Sequence, residues 1–211
     1  NLNKLKKSPD SINIIIGDES GEKVTEKRDI RNFKGIEVYN SIKVQIVQSD
    51  EEKVYVKADK NIIHYIKTYV KDKILCICMI KGHPSVDLNN LPIVKVKLRN
   101  LREIHAHNTS KVYGHSRFDV NHCMFETTGS SVLRLDLYGN SVDIQMHGSS
   151  EMSLKGSVIK IHAVISGSAY LRAYDLEVDK ADMVMSGSST AHIKANEKFG
   201  YDVSGTSKIA Y

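Results

Sequence analysis

The unit Thr128-Gly129-Ser130-Ser131 returns nineteen residues later as His147-Gly148-Ser149-Ser150, and this short repeat decides the fold. Related units occur six times in the second half of the chain, separated by 21, 19, 19, 20 and 18 residues. Their central residues are Asn108, Gly129, Gly148, Gly167, Gly187 and Gly205. A period of about 20 residues held over several copies is typical of a solenoid, in which each repeat forms one coil.

Residues on both sides of each unit alternate between apolar and polar. Around Gly148, Ile144 and Met146 precede the glycine, and Met152 and Leu154 follow it, with polar residues between them. Period-two alternation is typical of a strand with one buried face. Each unit is therefore predicted to be a corner between two strands. Gly and Asn adopt positive φ most readily, so we expect a left-handed residue at its centre.

The residue after each central position is always Ser or Thr, from Thr109 in the first copy to Thr206 in the last. Hydroxyls at a corner can bond backbone groups and one another along the stack. A catalytic serine is not indicated, because the G-x-S-x-G pattern of a nucleophile elbow is missing.

A second corner is visible inside the repeat, at Tyr138-Gly139-Asn140-Ser141 and at Lys155-Gly156-Ser157. Each coil then contains at least two strands, and stacking pairs each strand in parallel with its equivalent one coil on, about 4.8 Å away. The predicted fold is all-β: a parallel β-helix-like solenoid with coils of about 20 residues. An antiparallel sandwich does not explain why one residue type recurs at one corner.

The N-terminal part is less regular. Asn40-Ser41 has the same flanking pattern as the later units and is predicted to be an early corner. A β-hairpin is expected across Lys71-Asp72-Lys73, a loop at residues 82–92, and a short helix near residues 62–67. Residues 1–20 are expected to be poorly ordered or close to a leader. Residues 21–211 are expected to form one solenoid domain, irregular over 21–92 and regular over 93–211.

Composition excludes several classes of protein. The 30 basic and 25 acidic residues are spread along the chain and give a net charge of +5, so we expect no nucleic-acid partner. No apolar run approaches the length of a membrane span. Cys76 and Cys78 are two apart on a predicted strand and are interpreted as small core residues. The cysteine and histidine spacings fit no zinc motif, so neither a metal nor a cofactor is expected.

The sequence also resembles a known family. The segments Phe33-Lys34-Gly35-Ile36-Glu37-Val38, Asn40-Ser41-Ile42-Lys43-Val44-Gln45-Ile46 and Val56-Lys57-Ala58-Asp59-Lys60-Asn61-Ile62, together with the later repeats, resemble the bacterial putative auto-transporter adhesin family with the head GIN domain. The likeness covers about residues 24–211. It departs from the family pattern at Asn40, where Gly is frequent, and in having more Lys. The resemblance implies a Bacteroidetes-type exported protein with a β-helix-like fold, and it offers no established catalytic activity that could be carried over.

Aligned coils place side chains in outward-facing columns, which are the candidate binding surfaces of a solenoid. Arg134 and Arg172 lie five residues after their central positions, and Tyr174 lies seven after. Arg and Tyr are favoured in binding sites, and planar Arg suits carboxylate or sulfate groups. These three residues are candidate ligand contacts on a flat face. Apart from residues 82–92, the loops are too short to wall a groove.

A second column contains Asp143, His162 and Asp182, five residues before three successive central positions. This ladder could bind a cation as its ligand or steer a proton, or it could be a set of solvated cross-coil pairs.

Three functions follow from these features. The first is a non-enzymatic exported adhesin of the periplasm, outer membrane or cell surface, which presents its face to a protein or glycan partner. Membrane attachment is expected only through a lipoprotein leader removed before Asn1. The second is a carbohydrate-active β-helix enzyme that uses Asp143, His162 and Asp182. The third is a self-assembling module, a homo-oligomer in which coil ends associate.

Overall fold

The computed structural model describes residues 22–211, so the expectation for residues 1–20 lies outside the described residues. Fourteen strands and one short 3-10 turn, Ile63–Tyr65, make up the described chain. The strands are β1 Lys23–Arg28, β2 Gly35–Val38, β3 Lys43–Gln48, β4 Lys53–Asp59, β5 Ile66–Lys71, β6 Ile74–Met79, β7 Ile93–Leu98, β8 Glu103–Ala106, β9 Lys111–Thr127, β10 Val132–Met146, β11 Glu151–Ile165, β12 Tyr170–Met185, β13 Thr190–Val203 and β14 Lys208–Ala210.

Strands β9 to β14 stack in sequence order, and every neighbouring pair is parallel. Across β10 and β11 the register joins residues nineteen apart, such as Leu133 with Met152 and Ile144 with Ala163. This is the stack that the repeat predicts, and the parallel β-solenoid is confirmed.

Each long strand covers two sides of a coil, and a shift in its buried positions marks the turn between them. In β10 the odd-numbered Leu133, Leu135 and Leu137 are buried before the turn, and the even-numbered Val142, Ile144 and Met146 are buried after it. Gly139 lies at this turn with a positive φ of 152°. A Cβ on Gly139 would lie 1.8 Å from the carbonyl oxygen of Val120, so only glycine fits under the preceding coil. The part of each coil before this turn is called the first side below, and the part after it the second side.

The repeated corners superpose in one column. Their central residues all have φ between 60° and 80°: Asn40, Asn108, Gly129, Gly148, Gly167, Gly187 and Gly205. From Gly129 onward, the amide after each centre donates to the carbonyl of the centre one coil back, as Ser149 does to Gly129 at 2.8 Å. Hydroxyls also pair along the column, with Ser41 and Thr109 at 2.7 Å and Ser188 and Thr206 at 2.7 Å. The corners therefore continue the hydrogen-bonded ladder of the strands.

A second row of hydroxyls at these corners is buried, which the sequence pattern did not indicate. Ser110, Ser131, Ser150 and Ser189 each lie two residues after a corner centre and are essentially inaccessible. The hydroxyl of Ser131 donates to the Ala106 carbonyl oxygen at 2.9 Å, and that of Thr127 donates to Ser150 at 3.0 Å. Bonds of this kind offset the cost of burying a hydroxyl.

The N-terminal coils stack out of sequence order. Strands β2 and β3, joined at the Asn40 corner, pair in parallel with β6 and β7 on one side and with β8 and β9 on the other. Antiparallel strands β1, β4 and β5 extend the outer coil. The predicted hairpin is β5–β6, whereas the expected helix near residues 62–67 is only the 3-10 turn followed by β5.

The buried apolar residues form one continuous cluster through all the coils. In β6, Leu75, Ile77 and Met79 face the continuous cluster. The interpretation of the two cysteines as small buried residues is confirmed for Cys76, which is 4% exposed, and is wrong for Cys78, which is only partly buried. Cys76 lies on the opposite face, covered by neighbours, with its Sγ 3.5 Å from Glu37 Oε2. All three cysteines are free thiols.

Candidate ligand-binding groove

Two bulges in the strands account for the longest repeat spacings. Between β9 and β10, Tyr113 pairs with Arg134 and Arg117 pairs with Asp136, so residues 114–116 lie opposite one residue. Between β11 and β12, Ser153 pairs with Arg172 and Gly156 pairs with Leu176, so residues 173–175 lie opposite two residues. The spacings of 21 and 20, against 19 for the coils between them, reflect these extra residues.

A groove of about 800 Å³ lies between the two bulges on the first side of the coils. Residues 114–117 form one wall, and Tyr174 with Asp175 forms the other. The floor comes from the unbulged coils between them, with residues 134–136 and 153–155. The expectation of a flat, unwalled face is therefore wrong, because the bulges provide walls that the short loops could not.

Two arginines of the groove share one carboxylate. Arg134 Nη2 lies 3.4 Å from Glu151 Oε1, and Arg172 Nη1 lies 2.5 Å from the same oxygen. The Glu151 side chain is three-quarters buried, whereas both arginine side chains are about half exposed. One carboxylate thus fixes two guanidinium groups that still face solvent.

A second carboxylate, that of Asp136, is also shared between two cationic side chains of the groove. Arg117 Nε lies 3.1 Å from Asp136 Oδ1, and Lys155 Nζ lies 3.6 Å from Asp136 Oδ2. Arg117 belongs to the first wall, so this contact fixes the wall to the floor.

Tyrosine rings support the arginines. The guanidinium of Arg172 lies 4.5 Å from the ring centre of Tyr170, and that of Arg134 lies 5.6 Å from the ring centre of Tyr113. These are distances of cation–π attraction. Tyr174, on the second wall, has two-thirds of its surface exposed. Its ring is available to pack against a bound molecule.

The structure brings Arg134, Arg172 and Tyr174 together in this groove, although by a different register from the one expected. Arg134 and Arg172 occupy the predicted column on either side of Ser153. Tyr174 is not in a column with Asp136 and Lys155, because the bulge displaces it from the ladder.

Sequence reasoning missed the roles of Arg117, Glu151 and Tyr170. The uneven repeat spacing was the signal that could have located the walls.

Asp143, His162 and Asp182 lie elsewhere, on the second side of the coils. They are register partners in adjacent strands, as expected. However, His162 Nδ1 contacts Asp182 Oδ2 at 3.6 Å, while Asp143 Oδ2 contacts His122 Nε2 at 3.4 Å. The side chains are between 43% and 64% exposed. They form two separate solvated pairs and not one enclosed cluster.

A more buried polar cluster lies on the second side of the N-terminal coils. The ring of His105 contacts Glu103 Oε2 at 3.0 Å through Nε2 and Glu126 Oε2 at 2.9 Å through Nδ1. Burial of this ring lowers its pKa, but the hydrogen bonds and charges of the two glutamates outweigh burial, so the pKa of His105 is raised. The protonated ring donates from both nitrogens and joins β8, which carries His105 and Glu103, to β9, which carries Glu126.

Within residues 22–211, no group of three or more His, Cys, Asp or Glu side chains is arranged to hold a metal ion. That part of the chain also contains no helix with the length and apolar character needed to span a membrane.

The fold and the groove place the protein among β-solenoids with a ligand-sized depression on one side. A family model described as "Putative auto-transporter adhesin, head GIN domain" matches residues 32–211. The chain belongs to this family. A search of the curated proteins gives no match.

Solved structures with the same fold come from Bacteroides and Parabacteroides. A putative adhesin from Bacteroides fragilis is 17% identical, with a TM-score of 0.79 over 90% of this chain and 88% of that one. A putative lipid binding protein from Parabacteroides distasonis is 17% identical, with a TM-score of 0.66 over 90% and 93%. A putative adhesin from Parabacteroides merdae is 17% identical, with a TM-score of 0.61 over 90% and 96%. These likenesses show the fold and link it to Bacteroidetes.

Proposed function

We propose that this protein is a non-enzymatic, exported adhesin that binds a glycan at the cell surface through the groove on the first side of its coils. The family and the putative adhesins among its structural relatives support adhesion and export. The observation that carries the choice of site is the depression of about 800 Å³ between two strand bulges, lined by arginines and tyrosines.

The shape of the site favours a glycan over a protein. Small-ligand sites are concave and have volumes of about 300–1,000 Å³, whereas protein partners need broad complementary surfaces. Tyr174 offers an exposed ring against which a sugar can pack, and the arginines and Ser153 offer hydrogen-bond donors. The exposed Asp143, His162 and Asp182 pairs give no comparable enclosure, which supports binding over catalysis.

A glycan array probed with the folded protein tests this function. Binding to a defined set of glycans is expected, and Tyr174→Ala should weaken it at least about tenfold through loss of a stacking ring. Tyr201→Ala is the matched control, because Tyr201 is also exposed but lies on the second side of β13. A blank array, or equal losses in the two variants, would contradict the proposal.

Export is tested on intact cells that naturally produce the protein. A membrane-impermeant amine reagent should label it in cells whose cytoplasmic proteins stay unlabelled. Recovery of the unlabelled protein in the cytoplasmic fraction would contradict an adhesive function.

A further inference from the structure

We infer that the ligand of the groove is an anionic sugar, bearing a carboxylate or a sulfate, and that Arg134 and Arg172 bind its anionic group. This inference rests on the proposed function and specifies the chemistry of the ligand. It follows from the charges, the free donors and the spacing of the residues in the groove.

The charge balance of the groove is the first argument. Two acidic side chains line the groove, those of Asp136 and Asp175. Four cationic side chains line it as well: Arg117, Arg134, Lys155 and Arg172. Asp136 is shared between two of the cations, and Glu151 between the other two. Four cations therefore face the three carboxylates of Asp136, Asp175 and Glu151, which leaves one net positive charge toward an incoming anion.

The second argument is the supply of hydrogen-bond donors. A guanidinium has five N–H donors in a planar fork that matches the two oxygens of a carboxylate or sulfate. Arg134 reaches Glu151 through Nη2, and Arg172 reaches it through Nη1. Other nitrogens of each fork remain for a ligand. Stacking of Arg172 on Tyr170 and contact with Glu151 hold this fork in place, which lowers the entropy cost of binding.

The third argument is geometric. Arg134 and Arg172 flank Ser153 in one row of the sheet, two coils apart, so their backbones are separated by roughly 9–10 Å. Ser153 has a much smaller side chain than the two arginines beside it and leaves a gap between them. An anionic group placed over Ser153 meets both forks and the serine hydroxyl, while the sugar ring extends toward Tyr174.

Paired oligosaccharides test the inference by calorimetry. Oligogalacturonate is compared with its carboxyl-reduced form, and sulfated dextran oligomers are compared with plain dextran oligomers. We expect measurable affinity for at least one anionic member and at least about tenfold weaker binding of its neutral counterpart. Binding of oligogalacturonate would indicate a carboxylate ligand, and binding of sulfated dextran would indicate a sulfate ligand. Either result supports the inference.

Charge-matched variants separate a built site from general attraction. The double variant R134Q/R172Q should lose at least about tenfold in affinity. The control K160Q/K198Q removes the same charge from two exposed lysines on the second side of the coils and should bind like the unmodified protein. Circular dichroism melting curves establish that both variants are folded.

Three results would overturn the inference, and they have different consequences for the proposed function. Equal losses in both double variants would show attraction by net charge alone. Equal affinity for acidic and neutral sugars, with loss in Tyr174→Ala, would overturn the anionic ligand but leave the glycan-binding groove in place. Failure of every glycan to bind would overturn both.

Discussion

Gly148 lies directly over Gly129 in the column of corners, so closely that a Cβ on Gly148 would clash with the Gly129 backbone. A Cβ built on Gly148 would lie 2.8 Å from the Gly129 carbonyl oxygen. A Cβ built on Gly167 or on Gly187 would likewise lie 2.7 Å from the carbonyl oxygen of the glycine one coil back. The repeated glycine therefore serves two requirements, a positive φ and close vertical stacking.

Replacing Gly148 with Ala should destabilise the protein by about 3 kcal/mol or more. A left-handed conformation costs an L-residue about 1–2 kcal/mol, and the clash with the Gly129 carbonyl adds to this cost. Gly82→Ala is the matched control, because Gly82 also has a positive φ, of 83°, but a Cβ there meets nothing within 4 Å. It should cost only about 1–2 kcal/mol. Urea unfolding of both variants measures the difference, and equal losses would contradict the role of stacking.

Deleting Asp175 should remove one wall of the groove and leave the solenoid folded. Strand β12 has one residue more than β11 needs in this region, so the deletion brings Tyr174 opposite Lys155 and keeps Leu176 opposite Gly156. Deleting Lys155 is the control, since β11 has no spare residue there and the buried positions that follow would change faces. Circular dichroism should show a folded shorter protein for the first deletion and severe destabilisation for the second. Normal glycan binding after deletion of Asp175 would show that the wall is not needed.

The sequence predicted the stack of regular coils because strand alternation and corner spacing are both local signals. Ile144 and Met146 indicate a strand, and Gly148 indicates its end, without reference to any distant residue. The position of the groove walls depends on which residues of a long repeat form the bulge. Near Tyr174, more than one choice of the extra residue keeps the same alternation of apolar and polar residues, so the alternation does not locate the bulge. The stacking order of the N-terminal strands could not be predicted from the sequence either. Parallel pairing of β2 between β6 and β8 is decided by tertiary contacts that no periodicity along the chain records.

Protonated His105 should stabilise the fold at low pH. The pKa of His105 is raised in the folded protein by Glu103 and Glu126, relative to about 6.5 in the unfolded chain. Its contribution is therefore fully present below about pH 6.5 and is lost as the pH rises through the raised pKa. The loss has a structural cause, since a neutral ring has only one N–H to offer two carboxylates.

Urea unfolding at pH 6 and pH 9 measures this effect. His105→Gln should lower the free energy of unfolding more at pH 6 than at pH 9. His64→Gln is the control, because His64 is exposed, and its effect should be small and similar at both pH values. A larger loss for His105→Gln at pH 9 would have the wrong sign and would refute the ion-pair account.

The three thiols should differ in reactivity in the folded protein, in an order set by burial. Burial raises the pKa of Cys123 to about 12, and its Sγ donates to the Leu101 carbonyl oxygen at 3.0 Å, so this thiol should react last. Cys78 is only partly buried and should react first. Labelling with a thiol-specific disulfide reagent at pH 8, followed by mass spectrometry of the peptides, gives the order. In urea all three should react at similar rates, because only the fold distinguishes them, and early labelling of Cys123 in the native protein would contradict the packing of its coil.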